Sequence, residues 1–132
     1  MKKKILGIVG IRSKSTGLKN KNIKILGNKP LVGWILQAAK KSKYINRLIV
    51  STDSKSYAKI AKKYGAEIPF LRPKNISTKY SDEIEFIKHA LNFLKKNENY
   101  QPDIIVRLLA TVPFQKSSDI DKVIKLIIKK KY

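Results

Sequence analysis

The chain has 132 residues and no cysteine, its formal net charge is +21 at pH 7, and 42% of its residues are hydrophobic. This length predicts a single domain, residues 1–132, with enough apolar side chains for a buried core. The lack of cysteine excludes disulfides and thiolate–metal sites. No apolar run approaches the ~20 residues of a membrane span or the pattern of a signal peptide, so we expect a cytoplasmic protein with no membrane partner.

The positive charge comes from 30 lysine and arginine residues spread along the whole chain, of which only four are arginine. A polycation can bind nucleic acid because it releases counterions from the phosphates of the nucleic acid. The bases, however, are recognised mainly by arginine side chains. The even spread therefore favours a solvated basic surface over a nucleic-acid site. Nucleic-acid binding remains the alternative from a different functional class.

Short apolar runs alternate with amphipathic stretches along the chain. The runs predict strands, and the stretches, with apolar residues at helical spacing, predict helices. Gly65 is expected to end the second helix, and Ser118 with Asp121 is expected to form a capping box at the start of the fourth. The predicted strands are Ile5–Val9, Arg47–Ser51, Glu67–Leu71 and Asp103–Leu109, and the predicted helices are Pro30–Lys43, Ser54–Tyr64, Ser81–Lys96 and Ser118–Lys131.

This alternation indicates an α/β fold, a Rossmann-like three-layer sandwich with a mostly parallel sheet. Ligands of such sheets bind beyond the carboxyl ends of the strands. The loops after the predicted strands are therefore the candidate regions for a site: residues 10–30, 52–54, 72–80 and 110–118.

The first of these loops has the composition of a phosphate-binding loop. Residues 10–23 combine glycine, hydroxyl side chains and cations directly after a buried strand, and such a loop can direct backbone N–H groups and positive charge at one point. Neither the Walker A order nor the dinucleotide glycine fingerprint is present. Composition alone leaves an ordinary solvated loop equally open.

Four blocks of the sequence resemble the acylneuraminate cytidylyltransferase family, which includes synthetases that activate nine-carbon and eight-carbon acidic sugars. The blocks follow one another in the family's order and cover nearly the whole chain. The resemblance implies a fold of the nucleotide-diphospho-sugar transferase type, with this chain as the N-terminal part of a longer fold. The blocks are residues 12–31, Val50–Ser54, Tyr64–Pro73 and Val106–Gln115.

The resemblance implies that the chain binds CTP and an acidic sugar, and that a sugar hydroxyl attacks the α-phosphate of CTP as pyrophosphate leaves. Arginine would supply a bidentate fork, lysine a point charge and asparagine a neutral donor and acceptor. The catalytic positions implied are Arg12 and Lys21. The nucleotide-binding positions implied are Arg12, Ser15, Lys21, Asn22 and Arg72, and the substrate-binding position implied is Thr111.

Three of the singled-out side chains also have structural interpretations. Arg72 could be a surface ion-pair residue before a turn, and Asp53 could cap the next helix instead of contacting a ligand. His89 lies on a predicted helix, and we interpret it as a structural residue.

The sequence also departs from the family pattern. Ser13-Lys14 stands in place of a glycine pair, Thr16 in place of a lysine, and Leu109 in place of a sugar-binding glutamine. An apolar side chain cannot donate a hydrogen bond, so the sugar acceptor stays open. An alternative function is a nucleotide-binding module without turnover.

The resemblance implies Mg²⁺ as a cofactor, but the aspartates that hold it in the family, and the main dimer arm, lie in a second half that this sequence lacks. We therefore predict no metal ligand in the chain and leave a homodimer open.

Overall fold

The computed structural model describes residues 2–13, 21–77, 83–112 and 114–131. A three-stranded parallel sheet with the order β4-β1-β5 forms its centre, and a short antiparallel hairpin, β2–β3, precedes the first helix. The strands are β1 (Ile5–Gly10), β2 (Ile25–Leu26), β3 (Lys29–Pro30), β4 (Arg47–Ser51) and β5 (Ile104–Leu108). The helices are α1 (Leu31–Lys40), α2 (Lys55–Lys63), α3 (Glu83–Glu98) and α4 (Ser117–Lys131).

The alternation of side chains along β1 divides the core into two layers. Ile5 and Val9 lie in a cluster with buried residues of α1, α2 and α4, whereas Leu6 and Ile8 lie in a second cluster with buried residues of α3. Both faces of β1 are therefore covered by helices, which is why its sequence is almost continuously apolar. The predicted three-layer α/β sandwich is confirmed.

The predicted strand Glu67–Leu71 is wrong. Only Glu67 joins the sheet, through a single parallel bridge to Ile49, with hydrogen bonds to Leu48 and Val50. Pro69 follows two residues later and has no N–H to donate to a ladder. The segment therefore leaves the sheet after one bridge.

The capping box predicted for Ser118 and Asp121 is also wrong. The helix begins one residue earlier, at Ser117, and the Asp121 carboxylate accepts hydrogen bonds from the Ser42 hydroxyl and from the Lys43 N–H. Asp121 thus ties α4 to the loop between α1 and β4.

The helix stop predicted at Gly65 is confirmed. Gly65 has a φ of +90°, in the left-handed region that glycine adopts without steric cost. Its N–H donates to the carbonyl of Lys62 at 3.0 Å and closes the end of α2.

Within the segments that the structure describes, no helix has the length and apolar character needed to cross a bilayer.

Candidate functional site

The carboxyl ends of β1 and β4 lie side by side, because the parallel register places Gly10 opposite Ser51. The loops that follow these two strands therefore leave the sheet at the same edge. A third segment returns to this edge after the single bridge, and the N–H of Arg72 donates to the carbonyl of Thr52 at 2.7 Å. The topology thus brings Arg12, in the loop after β1, into the electrostatic surroundings of Arg72.

Arg72 is a buried guanidinium fixed at the end of β4, since only 6% of the residue is exposed. Its Nε donates to the Ser51 hydroxyl at 3.0 Å and its Nη2 to the Ser51 carbonyl at 2.8 Å. The Phe86 ring lies 4.7 Å from its Cζ in a cation–π arrangement. The surface ion pair that the sequence left open for Arg72 is therefore wrong, because the side chain points inward.

Burial of Arg72 disfavours the charged form of its guanidinium. The pKa of its guanidinium is lowered to about 10. Burial is the largest cause; the carboxylate of Asp53 partly offsets it by raising the pKa, and the positive charge of Arg12 adds a smaller lowering. The group is still protonated at neutral pH, because a pKa of about 10 lies well above 7.

Arg72 has no ion-pair partner among the described residues, whereas Arg47 and Arg107 are both paired with glutamates. A buried cation is normally compensated by an anion. Two described hydrogen bonds leave part of its five-donor fork for another acceptor. Arg72 therefore has the geometry and charge to bind an anionic ligand at the carboxyl edge of the sheet.

Asp53 fixes the beginning of the loop after β1. Its carboxylate oxygens accept one hydrogen bond from the Ser13 N–H and one from the Ser13 hydroxyl, both at 2.8 Å. The cap of α2 is instead Ser54, whose hydroxyl accepts from the Tyr57 N–H at 3.2 Å. The interpretation of Asp53 as a helix cap is therefore wrong. Its carboxylate positions Ser13, the residue next to Arg12.

Gly10 allows the chain to pass over the buried guanidinium. A Cβ at this position would lie 2.6 Å from Cζ of Phe86 and 2.9 Å from Nη2 of Arg72. Both distances are shorter than van der Waals contact, so any larger side chain would push the loop or Arg72 out of place.

The other implied site residues lie apart from this cluster or outside the described residues. Lys21 is exposed and Asn22 half-buried on a 3₁₀ turn, Lys21–Ile23, that leads into the β2–β3 hairpin. Thr111 is exposed in the turn after β5. Among the described residues no hydrogen bond or ion pair joins these three to Arg72. Ser15 lies outside the described residues.

His89 lies on α3 below the cluster. Its ring meets the Phe70 ring edge-on at a centroid distance of 4.7 Å, and its Nδ1 is buried without a described hydrogen-bond partner. Burial lowers the pKa of His89, and the positive charge of Arg72 lowers it further. This packing is consistent with a structural side chain.

Sequence reasoning missed two contributors to the site: Ser51, which holds Arg72, and Phe86, which packs on it. The available signal was the change from apolar to polar residues at the end of β4, where Val50 is followed by the polar run that begins with Ser51, Thr52 and Asp53. That position identifies the edge of the sheet but does not identify the partner of each side chain.

The described residues do not fit a magnesium site. No group of three histidine, cysteine, aspartate or glutamate residues among them could hold a metal ion. Asp53, the carboxylate at the cluster, already accepts two hydrogen bonds from Ser13. Mg²⁺ takes near-ideal octahedral oxygen ligation, and one occupied carboxylate does not supply it.

A protein-family profile described as "Cytidylyltransferase" matches residues 6–132. The chain is 40% identical over 126 residues to the N-acylneuraminate cytidylyltransferase of Escherichia coli O18:K1:H7, a match that covers 96% of this chain and 29% of that protein. It is 32% identical over 123 residues to the CMP-N,N'-diacetyllegionaminic acid synthase of Legionella pneumophila, covering 93% of this chain and 53% of that protein. The chain thus spans about half or less of these two relatives.

A solved structure of CMP:2-keto-3-deoxy-manno-octonic acid synthetase complexed with CTP superposes on this chain with a TM-score of 0.78. The sequences are 14% identical, and the match covers 96% of this chain and 48% of that one. This similarity shows a shared fold.

Proposed function

The chain belongs to the cytidylyltransferase family, and from this premise we propose that it binds CTP and contributes to the activation of an acidic sugar as its CMP-sugar. The acceptor belongs to the class of sialic-acid-like, nonulosonic or related sugar acids. The names of the relatives from Escherichia coli and Legionella pneumophila support this class.

The observation that carries the proposal is the buried guanidinium of Arg72. It lies at the carboxyl edge of the sheet, is held by Ser51, and has no described ion-pair partner. A triphosphate would supply the missing negative charge and accept charge-assisted hydrogen bonds from the guanidinium. Arg12 adds a second positive charge at the same edge.

In the proposed reaction, a hydroxyl oxygen of the sugar forms a bond to the α-phosphorus of CTP. The bond between this phosphorus and the oxygen that bridges to the β-phosphate breaks, and pyrophosphate leaves with the electron pair. The hydroxyl proton passes to solvent. Such a transfer depends on positioning and on neutralising phosphate charge, and Arg12 and Arg72 would do both.

The remaining residues are assigned on the family resemblance. Lys21 would neutralise phosphate charge, Asn22 and Ser15 would contact the nucleotide, and Thr111 would contact the sugar. Mg²⁺, the cofactor that the resemblance implies, would need ligands from outside the described residues.

A nucleotide-binding module without turnover is the second candidate. It is favoured by one observation, that the described residues contain a cationic cluster but no carboxylate group suited to a metal. Such a module would bind CTP at the same site as the proposed enzyme but would not release pyrophosphate.

The test is thermal unfolding of the chain with CTP, ATP, GTP, UTP or a short oligonucleotide, each with and without Mg²⁺. Specific binding stabilises the folded state by RT ln(1 + [L]/Kd), about 2.7 kcal/mol at a hundredfold excess over Kd. We expect the largest stabilisation with CTP. Equal stabilisation by all four nucleotides, or a stronger, salt-sensitive effect of the oligonucleotide, would contradict the proposal. Measuring the release of pyrophosphate from CTP in the presence of N-acetylneuraminate then distinguishes the enzyme from the module without turnover.

A further inference from the structure

One carbonyl oxygen joins the segments that carry the two arginines at the carboxyl edge of the sheet. The carbonyl of Ser51 accepts a hydrogen bond from the N–H of Ile11 at 3.0 Å and another from Nη2 of Arg72 at 2.8 Å. A backbone carbonyl has two lone pairs, so it can serve both donors at once. Arg12 directly follows Ile11, which is buried. The backbone on the amino side of Arg12 is therefore fixed to the residue that also holds Arg72.

The backbone on the carboxyl side of Arg12 is fixed by the side chains of Asp53 and Tyr57. The Asp53 carboxylate accepts hydrogen bonds from the N–H and from the hydroxyl of Ser13. The Tyr57 hydroxyl donates to the Ser13 carbonyl at 3.4 Å. Both backbone polar groups and the side chain of Ser13 are thus engaged by one short segment of the chain. We call Asp53 and Tyr57 together the Ser13 clamp.

The Ser13 clamp is itself held in place. On one side of Asp53, Thr52 is buried and its carbonyl accepts the N–H of Arg72 at 2.7 Å. On the other side, Ser54 caps α2 by accepting the N–H of Tyr57 at 3.2 Å. The Tyr57 ring lies in the main hydrophobic cluster. The clamp therefore joins the start of the loop after β1 to a rigid corner of the fold.

This fixation acts against a repulsion between two like charges. The pKa of Arg72 is lowered mainly by burial; Asp53 partly offsets this effect, and the charge of Arg12 adds a smaller lowering. The two guanidinium groups therefore interact unfavourably. The hydrogen bonds at Ile11 and Ser13 keep the backbone of Arg12 from moving away. A site whose cations are already in place loses less conformational entropy when an anion binds.

We propose that Asp53 and Tyr57 are positioning residues for polyphosphate binding, which act through Ser13 to hold Arg12 beside Arg72 before the ligand binds. Their role is indirect, because their described contacts are with the loop. The inference rests on the proposed function, in which the polyphosphate is the triphosphate of CTP.

The proposal reverses the effect that the charge of Asp53 alone would have. A carboxylate beside a cationic site opposes the binding of an anion by Coulomb repulsion. If charge were its whole contribution, removing Asp53 would tighten the binding of a polyphosphate. The clamp predicts that removing Asp53 weakens binding, because Arg12 is then free to move away from Arg72.

The test is calorimetric titration of the chain with inorganic tripolyphosphate at about 0.15 M salt, which screens the scattered surface lysines. Arg72→Lys identifies the heat that belongs to this site. We expect Asp53→Ala to weaken binding about tenfold and Ser13→Ala, which removes only the hydroxyl, about threefold. Ser13→Thr keeps a hydroxyl and should bind like the unsubstituted chain. Tyr57→Phe should weaken binding about twofold, since its hydrogen bond is long.

Asp121→Ala is the matched control. Like Asp53, Asp121 accepts one hydrogen bond from a serine hydroxyl and one from a backbone N–H. The two donors belong to Ser42 and Lys43, in the loop that leads into the amino end of β4, away from the carboxyl edge of the sheet. Both variants remove one negative charge and two hydrogen bonds, but only Asp53→Ala is expected to weaken binding.

Unchanged or tighter binding by Asp53→Ala overturns the proposal, and so does an equal weakening by Asp121→Ala. If Asp53→Ala does not fold, the pair at Ser13 decides, and equal affinities of Ser13→Ala and Ser13→Thr overturn the proposal. Absence of tripolyphosphate binding by the unsubstituted chain also overturns it. A chain that binds tripolyphosphate through the clamp but does not prefer CTP to other nucleotides would support the clamp and contradict the proposed function.

Discussion

Arg72 binds Ser51 twice, through Nε to the hydroxyl at 3.0 Å and through Nη2 to the backbone carbonyl at 2.8 Å. The guanidinium of Arg72 thus donates two hydrogen bonds to a single residue at the end of β4. These two bonds fix the plane of the guanidinium at the sheet edge, where the chain is proposed to bind a triphosphate.

We predict that Arg72→Lys weakens CTP binding by about tenfold or more, because lysine is a point charge that cannot reproduce the planar fork. Isothermal titration calorimetry measures the change. Arg47→Lys is the matched control, since Arg47 is also an engaged arginine but lies at the opposite end of β4. Equal CTP affinities of the two variants would show that Arg72 does not contribute to CTP binding.

We predict that Asp53 and Ser13 are energetically coupled. Asp53→Ala removes both carboxylate oxygens, so both hydrogen bonds to Ser13 are lost. We expect the free energy of unfolding to fall by about 1–2 kcal/mol. A double-mutant cycle with Ser13→Ala, measured by urea unfolding, should give a coupling of about 1 kcal/mol. Strictly additive effects would show that the contact carries no energy.

We predict that Gly10→Ala destabilises the fold by about 1–3 kcal/mol, because the added Cβ overlaps the Phe86 ring and the Arg72 guanidinium. Urea unfolding measures the loss. Adding Phe86→Leu should recover part of it by making room. Gly7→Ala serves for comparison, since the nearest atom to its Cβ would lie farther away, on the Leu48 side chain at 3.1 Å. A loss at Gly10 no larger than at Gly7 would count against the close approach.

We predict that stability falls as the pH is lowered below about 6.5. The pKa of His89 in the folded chain lies below its ordinary value of 6.5, through burial and the charge of Arg72. Between these two pKa values the unfolded chain binds more protons than the folded chain, so the free energy of unfolding decreases with falling pH.

His89 is the only histidine of the sequence, and unperturbed carboxylates titrate near pH 4. His89→Gln should therefore flatten the pH dependence between about pH 5.5 and 7, as followed by urea unfolding at each pH. An unchanged slope in this variant would assign the dependence to other groups.

The sequence predicted the layers of the fold better than the details of its edges. The four helices and three of the four strands were predicted from apolar periodicity, because burial of one face imposes that period directly. The strand at Glu67–Leu71 was wrong because one proline after the first bridge outweighs a short apolar run. The predicted capping box was wrong because the Asp121 carboxylate accepts a hydrogen bond from the N–H of Lys43, which lies 78 positions away in the chain.

For the candidate site, the sequence alone pointed to the loop after β1 and to Arg12 and Arg72, because the order of polar and cationic residues resembles a family pattern. The family is shown by the match over residues 6–132. The roles of all the implied site residues stay predictions: Arg12, Ser15, Lys21, Asn22, Arg72 and Thr111. Only the tertiary structure decided that Arg72 is buried on Ser51 and that Asp53 holds Ser13. Both contacts join segments at least 21 residues apart. Periodicity reports which side of an element is buried, but parallel pairing of β1 with β4 determines which side chains meet at the edge of the sheet.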